Sequence, residues 1–522
     1  MKATLADDDR RPEPPPSASG DGRRATLGLL AAAVLLVLPM VVGQFVPIVD
    51  LPNHLARVYI IRHLHEVPAF DATFRLIKEP IPNVAADVVL YGLLRFMEPL
   101  AAARAFLAIT ALLFAGGCWA LAYAVRGRPS WTAVPASLLF FCSPLLYGFV
   151  NYVFGVALFC LAYAAWLVAR RRWTAVGFAT VAALTMAAYL AHLTAYAFVG
   201  FAVVVTALMD AWERQRAGES VGRLLGRLVV DGAPLVPPLV AFAVFMRGSG
   251  QAGTVVWNGA KGKVVALFGL VRTYDARVDL ALTALIAASV VAVLWAGGRR
   301  PRIARDFHGP LLAVGVGFLV VFLLSPREII TSSGADARLI LPAGVCLLVS
   351  YVGDGRVGRR AVYAAALVAV LAARVGYLWY EWERFEPAER RALALLDQVP
   401  EGARIFPIFS PGGGADQQKR ERVFRHFVHY ATVRHDAFVP SLFALRGQQP
   451  LVFRDPPPGD MANESPAVSR ESLAGYDYVW SCGTGGDAAR DLAPLARPLG
   501  VAAPCVLWQV AAGAPAAAAS RP

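Results

Sequence analysis

Charged side chains are scarce in this chain. Only 17% of its 522 residues are Asp, Glu, Lys or Arg, against about 25% in an average soluble protein. Several uncharged stretches run for roughly 17–22 residues, the length that a helix needs to cross a hydrocarbon core of about 30 Å. Together with a mean hydropathy of +0.52, this scarcity excludes a soluble globular fold and predicts a polytopic α-helical membrane protein.

The sequence also lacks two short motifs of common soluble enzymes. It contains no Walker A sequence and no HExxH, so ATP hydrolysis by a P-loop and zinc-dependent hydrolysis of the HExxH type have no support. A net charge of +13 would indicate a nucleic-acid partner in a soluble protein. In a membrane protein such an excess usually lies in cytoplasmic loops, so no nucleic-acid partner is expected.

About eleven hydrophobic spans are predicted. They lie at 25–45, 101–125, 131–147, 150–169, 174–191, 194–210, 228–246, 278–297, 309–325, 339–354 and 361–380. Arginine-rich connections fall on the same side as Arg23 and Arg24, at 126–128, 170–172, 213–227, 299–305 and 355–360. The positive-inside rule then places the N-terminus in the cytoplasm and the C-terminus outside. Residues 1–24, polar and rich in proline, are predicted to be a disordered cytoplasmic tail.

The residues after the last span are predicted to form a small extracytoplasmic α/β domain at 381–510, followed by a low-complexity tail at 511–522. "YDYVWSC" and "CVLWQVA" have the composition of strands. Two of the six cysteines, Cys482 and Cys505, fall in this domain. An oxidising compartment favours a disulfide between them, and two buried thiols are the alternative.

The longest loop of the predicted membrane domain, 46–100, begins with a carboxylate. In "VPIVDLPNHLARVYIIRHL" Asp50 precedes Pro52, which suits the first turn of a helix, so Asp50 is expected near the positive end of that helix. His54 follows one turn later and can share a face with Asp50. The apolar residues recur at helical spacing and predict an amphipathic helix on the membrane surface. A simple N-cap is the alternative role for Asp50.

The order of these features resembles that of the GT-C glycosyltransferases, which use polyprenyl-phosphate sugars and include protein O-mannosyltransferases and aminoarabinose transferases. An acidic residue heads the first long loop, "EPIPNVAADVV" supplies a Pro-rich turn, and "PLAAARAFLAIT" places an arginine at the mouth of the next span. "GADARLILP" (334–342) resembles the arginine-then-proline entrance to a late helix. The resemblance implies an inverting GT-C glycosyltransferase with a polyprenyl-phosphate donor.

The resemblance also implies roles for particular residues. Asp50 matches the loop-one aspartate, the candidate general base for the acceptor hydroxyl. His54 is its candidate partner, because the second acidic residue of many relatives is missing here. Arg338 matches the basic residue near the donor phosphate.

Further candidates come from the position of polar residues on the predicted outer face. Additional candidates for the donor phosphate are Arg57, Arg272 and Arg327. Candidates for contact with the sugar or the acceptor are Asn151, Tyr152 and His192, which lie in tight outer turns.

Each of these assignments has a structural alternative. Arginine at the mouth of a span commonly snorkels, a histidine at membrane depth can be a satisfied core residue, and an asparagine in a turn can cap a helix. "HFVHYATVRHD" (426–436) matches zinc-ligand spacing only loosely. No cofactor is predicted with certainty, and a divalent metal ion stays open.

The leading hypothesis is a glycosyltransferase in a bacterial inner membrane. Its donor, a polyprenyl-phosphate sugar, would enter from the bilayer lipids, and its acceptor would be an envelope glycan, lipid or protein on the outer face. A transporter or flippase for a lipid-linked sugar is one rival, although no inverted repeat is evident. A GT-C-like assembly protein without activity is the other. A cavity that opens only to the outer face would favour the enzyme. A pathway that opens to both faces of the membrane would favour the transporter.

Overall fold

The computed structural model describes residues 18–77, 79–249, 254–296, 303–330, 332–353, 359–457, 467–486 and 488–511. Residues 1–17 of the predicted N-terminal tail and residues 512–522 of the predicted C-terminal tail lie outside the described residues. The first helix begins at Ala18, inside the segment predicted as a tail, so this helix starts earlier than the hydrophobic run alone indicates.

The first half of the chain alternates long apolar helices with shorter ones. In chain order they are α1 (Ala18–Val42), α2 (Leu51–His63), α3 (Pro68–Thr73), α4 (Ala85–Leu93), α5 (Pro99–Arg126), α6 (Ala133–Ser137), α7 (Ser143–Tyr147), α8 (Val150–Ala169), α9 (Ala175–Ala191) and α10 (Leu193–Arg216). Long uncharged runs form helices here because every backbone polar group must be paired within the segment when lipid surrounds it.

The second half continues the same pattern and ends in a very long helix. Its members are α11 (Val221–Gly232), α12 (Val236–Ser249), α13 (Ala260–Leu267), α14 (Ala276–Trp295), α15 (Ile303–Asp306), α16 (Gly309–Leu324), α17 (Ile340–Ser350) and α18 (Arg359–Leu396). Among the described residues, seven helices are long and apolar enough to cross a membrane. Three shorter apolar helices accompany them, and the prediction of a polytopic helical membrane protein is confirmed.

The span predicted at 131–147 is not one helix. It contains α6 and α7, of five residues each, separated by an irregular stretch. Pro144 lies in the first turn of α7, where its missing N–H leaves no hydrogen bond unmade. The stretch between the two helices is buried in protein, the condition for irregular backbone at membrane depth. Arg374 of α18 donates to the carbonyl of Phe141 and so satisfies one of its polar groups.

The C-terminal domain is built around a mixed sheet. It adds the helices α19 (Ala415–Glu421), α20 (His429–His435) and α21 (Ala488–Leu492). The strands among the described residues are β1 (Phe74–Leu76), β2 (Thr254–Val256), β3 (Glu328–Ile330), β4 (Ser332–Ser333), β5 (Ile405–Phe409), β6 (Leu451–Phe453), β7 (Tyr478–Cys482), β8 (Ala496–Ala502) and β9 (Cys505–Val510). The order β5-β7-β9-β8 is parallel between β5 and β7 and antiparallel elsewhere. A disulfide of 2.06 Å joins Cys482 to Cys505.

Three connections fix this domain to the membrane helices. The strand β1, in the loop at 46–100, pairs antiparallel with β6, and α2 packs against α20. The helix α18 runs without interruption across the predicted boundary at residue 381. Nine residues of α2 are buried, and the helix contacts α4 and α5 as well as α20. It therefore packs inside the protein and does not form the predicted amphipathic helix on the membrane surface.

The other end of the helix bundle holds much of the arginine-rich sequence. A cavity of about 750 Å³ there is lined by residues from the connections at 170–172 and 213–227. Arg170 bridges Asp210 at 3.1 Å and Asp231 at 3.0 Å. This end lies away from the C-terminal domain, so the bundle has one basic end and one end that carries the sheet.

Candidate functional site

A cavity of about 560 Å³ lies between the membrane helices and the C-terminal domain, and it contains Asp50. Its lining includes four arginines, Arg272, Arg327, Arg422 and Arg425. Among the described residues that line it, Asp50 is the sole acidic one. One wall is apolar and consists of Val265, Ala266, Leu270, Ile340 and Leu341. A cavity of this kind attracts an anion that also carries an apolar chain.

The Asp50 carboxylate faces the cavity instead of capping the helix that follows it. The backbone of Asp50 is the N-cap of α2, yet its side chain makes no capping hydrogen bond. Its side chain is 16% exposed. Burial raises the pKa of Asp50 to about 7, and the charge of Arg425 opposes this rise. A carboxylate with such a pKa is suited to accept a proton near neutral pH.

The partner of Asp50 in the structure is a histidine from the C-terminal domain. Nε2 of His426 lies 3.5 Å from Oδ1 of Asp50, and His426 also lines the cavity. In the sequence this histidine belongs to the stretch with loosely zinc-like spacing. Pairing it with Asp50 required the docking of α20 on α2, which no local pattern reveals.

Two of the cavity arginines were missed by sequence reasoning. Lys419, Arg422 and Arg425 recur at every third residue, which places them on one side of the helical segment at 415–425. This spacing was the available signal. Arg422 donates to the hydroxyl of Tyr147 at 3.0 Å, and both line the cavity. A small adjoining pocket extends from Arg272 and Arg422 to Lys419.

His54 and Arg57 do not line this cavity, contrary to the prediction. The Arg57 side chain is fully buried, and its Nη2 lies 2.6 Å from Oδ1 of Asp87. The same nitrogen lies 2.9 Å from Nδ1 of His54. Since a guanidinium only donates, Nδ1 of His54 accepts. Arg57 is therefore the counter-ion of a buried carboxylate, and His54 is one of its hydrogen-bond acceptors; their roles in phosphate binding and catalysis stay predictions.

The other predicted residues form a layer behind the cavity wall. The guanidinium of Arg338 lies 4.7 Å from the ring centroid of Phe149, which lines the cavity. The Tyr152 hydroxyl donates to the Arg338 carbonyl at 2.5 Å, and the rings of Tyr152 and His192 are 5.8 Å apart. Asn151 donates to the carbonyl of Asn83 at 3.0 Å. These side chains support the wall, and only Arg272 and Arg327 of the predicted phosphate ligands line the cavity itself.

The stretch at 426–436 does not gather ligands around one point. Asn53 lies between His426 and His429, whereas His435 lies 3.3 Å from Asp397 on another face. Within the described part of the chain, no group of three or more His, Cys, Asp or Glu side chains is arranged to hold a metal ion.

The helix bundle, the long loop after α1 and the C-terminal sheet domain together define a membrane protein of the GT-C fold. The crystal structure of ArnT from Cupriavidus metallidurans bound to undecaprenyl phosphate matches it with a TM-score of 0.54. The match covers 95% of this chain and 99% of that chain at 12% sequence identity, so the likeness is one of fold. No protein-family model and no curated protein sequence matches the chain. The predicted GT-C architecture is confirmed.

Proposed function

We propose that this protein is a membrane glycosyltransferase that moves a sugar from a polyprenyl-phosphate donor to an acceptor hydroxyl. The observation that carries the proposal is the presence of Asp50 and four arginines in one cavity that also has an apolar wall. The GT-C fold supports it, because ArnT, which shares the fold, was crystallised with undecaprenyl phosphate. A polyprenyl phosphate has the two chemical parts that this cavity can accommodate.

In the proposed reaction, Asp50 acts as general base. It takes the proton of the acceptor hydroxyl while the acceptor oxygen forms a bond to the anomeric carbon of the sugar. The bond from that carbon to the donor phosphate oxygen breaks, and the phosphate leaves with the electron pair. Arg272, Arg327 and Arg422 stabilise the charge on the leaving phosphate. Attack from the face opposite the phosphate inverts the anomeric centre.

The setting of the reaction follows from the charge at the two ends of the bundle. With the basic end in the cytoplasm, Asp50 and the C-terminal domain lie on the outer face of a bacterial inner membrane. The acceptor is then a glycan, lipid or protein of the cell envelope. The donor reaches the cavity from the bilayer along its apolar wall.

A transporter for a lipid-linked sugar is supported less well. Transport needs a pathway that opens to both faces. The cavity that contains Asp50 and the cavity at the basic end share no lining residue. Wild-type protein that binds undecaprenyl phosphate but transfers no sugar from any donor would favour the assembly protein without activity.

Replacing Arg422 with Gln tests the phosphate site. We expect undecaprenyl phosphate to bind about tenfold more weakly, because a charge-assisted hydrogen bond contributes about 1.5–3 kcal/mol. Binding would be measured by native mass spectrometry of the full chain in lipid nanodiscs. Arg223→Gln is the matched control, since Arg223 lines the cavity at the opposite end. Equal weakening in both variants would overturn the assignment of the phosphate site.

Replacing Gly148 with Ala tests the position of Asp50. Gly148 has φ +106°, and a Cβ atom there would lie 2.4 Å from Cβ and from the backbone N of Asp50. We expect the methyl group to displace Asp50 and to reduce transfer about 100-fold, because a misplacement of about 1 Å can have that effect. Gly127→Ala is the control, since Gly127 has φ +67° with nothing within 4 Å. If both variants lose transfer equally, backbone strain and not the contact with Asp50 is responsible.

A further inference from the structure

We propose that Asn53 and His426 form a positioning pair for Asp50, in which Asn53 fixes the tautomer of His426 so that its Nε2–H points at the Asp50 carboxylate. The role of this pair in sugar transfer rests on the proposed function. The geometry of the pair is independent of the proposed function.

The orientation of the Asn53 amide is fixed by backbone groups. Its Oδ1 accepts from the backbone N–H of Phe443 at 2.7 Å, and its Nδ2 donates to the carbonyl of Ser441 at 2.8 Å. An N–H cannot accept and a carbonyl cannot donate, so the oxygen and nitrogen of this amide cannot be exchanged. Asn53 is fully buried, which protects this arrangement from competition by water.

The same amide nitrogen faces two imidazoles. Nδ2 of Asn53 lies 3.1 Å from Nε2 of His429 and 3.4 Å from Nδ1 of His426. One N–H of this amide donates to Ser441, so the other is shared between the two ring nitrogens, and Nε2 of His429 also lies 3.1 Å from the Ser441 hydroxyl. Since an amide nitrogen cannot accept, a proton on Nδ1 of His426 would find no acceptor there. In His426 the proton is therefore on Nε2, the atom that lies 3.5 Å from Oδ1 of Asp50.

The charge state of His426 agrees with this tautomer. Burial lowers the pKa of His426 well below its usual value, and the neighbouring His429, Arg425 and His54 lower it further. A neutral imidazole with a single N–H can donate to Asp50 but not accept its proton at Nε2. The pair thus holds Oδ1 of Asp50 and leaves Oδ2 for the acceptor hydroxyl.

Other groups around Asp50 do not replace this contact. The charged and titratable side chains that line the cavity with Asp50 and His426 are Cys142, Tyr147, Arg272, Arg327, Arg422 and Arg425. Arg425 acts on Asp50 through its charge. His426 belongs to the C-terminal domain and lies 3.5 Å from Asp50, so docking of that domain completes the site around the base.

The experiment compares His426→Leu, His426→Gln and the control His429→Gln in the full chain. The Asp50 carboxyl band would be followed by infrared titration of ¹³C-aspartate protein, with the Asp50→Asn variant for assignment. Loss of the N–H donor in His426→Leu disfavours the carboxylate, so the titration midpoint should move up by about one pH unit, a tenfold change. His426→Gln keeps an N–H donor, so its titration midpoint should lie close to that of the wild type. His429→Gln loses an equally buried imidazole that does not contact Asp50 and should leave the midpoint in place.

Sugar transfer is the second readout of the same variants. In His426→Leu the acidic limb of kcat/KM against pH should move with the infrared midpoint, while the donor KM stays within about twofold. An unchanged midpoint in His426→Leu, or an equal shift in His429→Gln, overturns the positioning pair. If the midpoint shifts as expected but wild-type protein transfers no sugar, the pair stands and the proposed function fails.

Discussion

Asp50→Asn is expected to remove sugar transfer while making the protein more stable at pH 8. The substitution keeps the size of the side chain and removes its ability to take a proton. Because general-base catalysis contributes about 10²–10⁴-fold, we expect kcat to fall by about 10³-fold. The donor KM should change little, since Asp50 does not hold the phosphate in the proposed reaction.

The gain in stability follows from proton linkage. Burial raises the pKa of Asp50 from 3.8 in the unfolded chain to about 7 in the folded protein. Between these values the folded state binds more protons than the unfolded state, so the stability of the wild type falls as the pH rises from about 4 to about 7. Above pH 7 the wild type carries the whole penalty of a buried carboxylate, and asparagine carries none.

Thermal unfolding in nanodiscs measures this difference. At pH 8 we expect the Tm of Asp50→Asn to exceed that of the wild type by about 4 °C, because a difference of about three pKa units corresponds to about 4 kcal/mol and 1 kcal/mol shifts Tm by about 1 °C in a chain of 522 residues. At pH 5 the two Tm values should converge. Retention of transfer by the variant would remove Asp50 from the mechanism, and a lower Tm at pH 8 would contradict the burial of its charge.

Arg57→Met is expected to destabilise the protein by about 3–5 kcal/mol. The variant leaves Asp87 buried with no guanidinium beside it, and removal of one partner of a buried ion pair typically has an effect of this size. The Asp87 side chain is 6% exposed, and burial already raises its pKa while Arg57 lowers it. Without Arg57 the pKa of Asp87 would rise further.

The double variant Arg57→Met/Asp87→Leu separates the two roles considered for Arg57. If Arg57 serves to pair Asp87, the double variant should recover most of the lost stability, because an apolar pair of similar volume replaces the ion pair. Unfolding in nanodiscs would be compared with Arg62→Met, a control on the same helix. A normal Tm for Arg57→Met together with weaker binding of undecaprenyl phosphate would restore the phosphate role that the sequence suggested.

The membrane fold could be predicted from the sequence because hydropathy and arginine placement act over each span separately. The break between α6 and α7 within 131–147 could not be predicted in this way. The hydropathy of this stretch is the same whether the backbone is continuous or broken, and the groups that satisfy the break come from Arg374 on a distant helix.

The site shows the same division. Asp50 could be selected because it follows a span directly and heads a long loop, both of which are local features. His426 could not be assigned to it, since their contact depends on the packing of α20 against α2. The ion pair of Arg57 with Asp87 could not be predicted, because a loop arginine has the same appearance in a sequence whether it faces a cavity or a buried carboxylate.

Because α18 is continuous from the membrane helices to the C-terminal domain, a change in its tilt within the bilayer is expected to move the groups around the site. At about 1.5 Å per residue, its 38 residues form a helix about 57 Å long. This helix begins among the membrane helices and ends against the sheet of the C-terminal domain. Glu381 of α18 forms an ion pair with Arg420, which lies next to the segment that carries Arg422, Arg425 and His426. A helix tilts when the surrounding lipid becomes thinner, and this tilt would be carried to the atoms around Asp50. We therefore expect the thickness of the membrane to alter the spacing of the groups around Asp50.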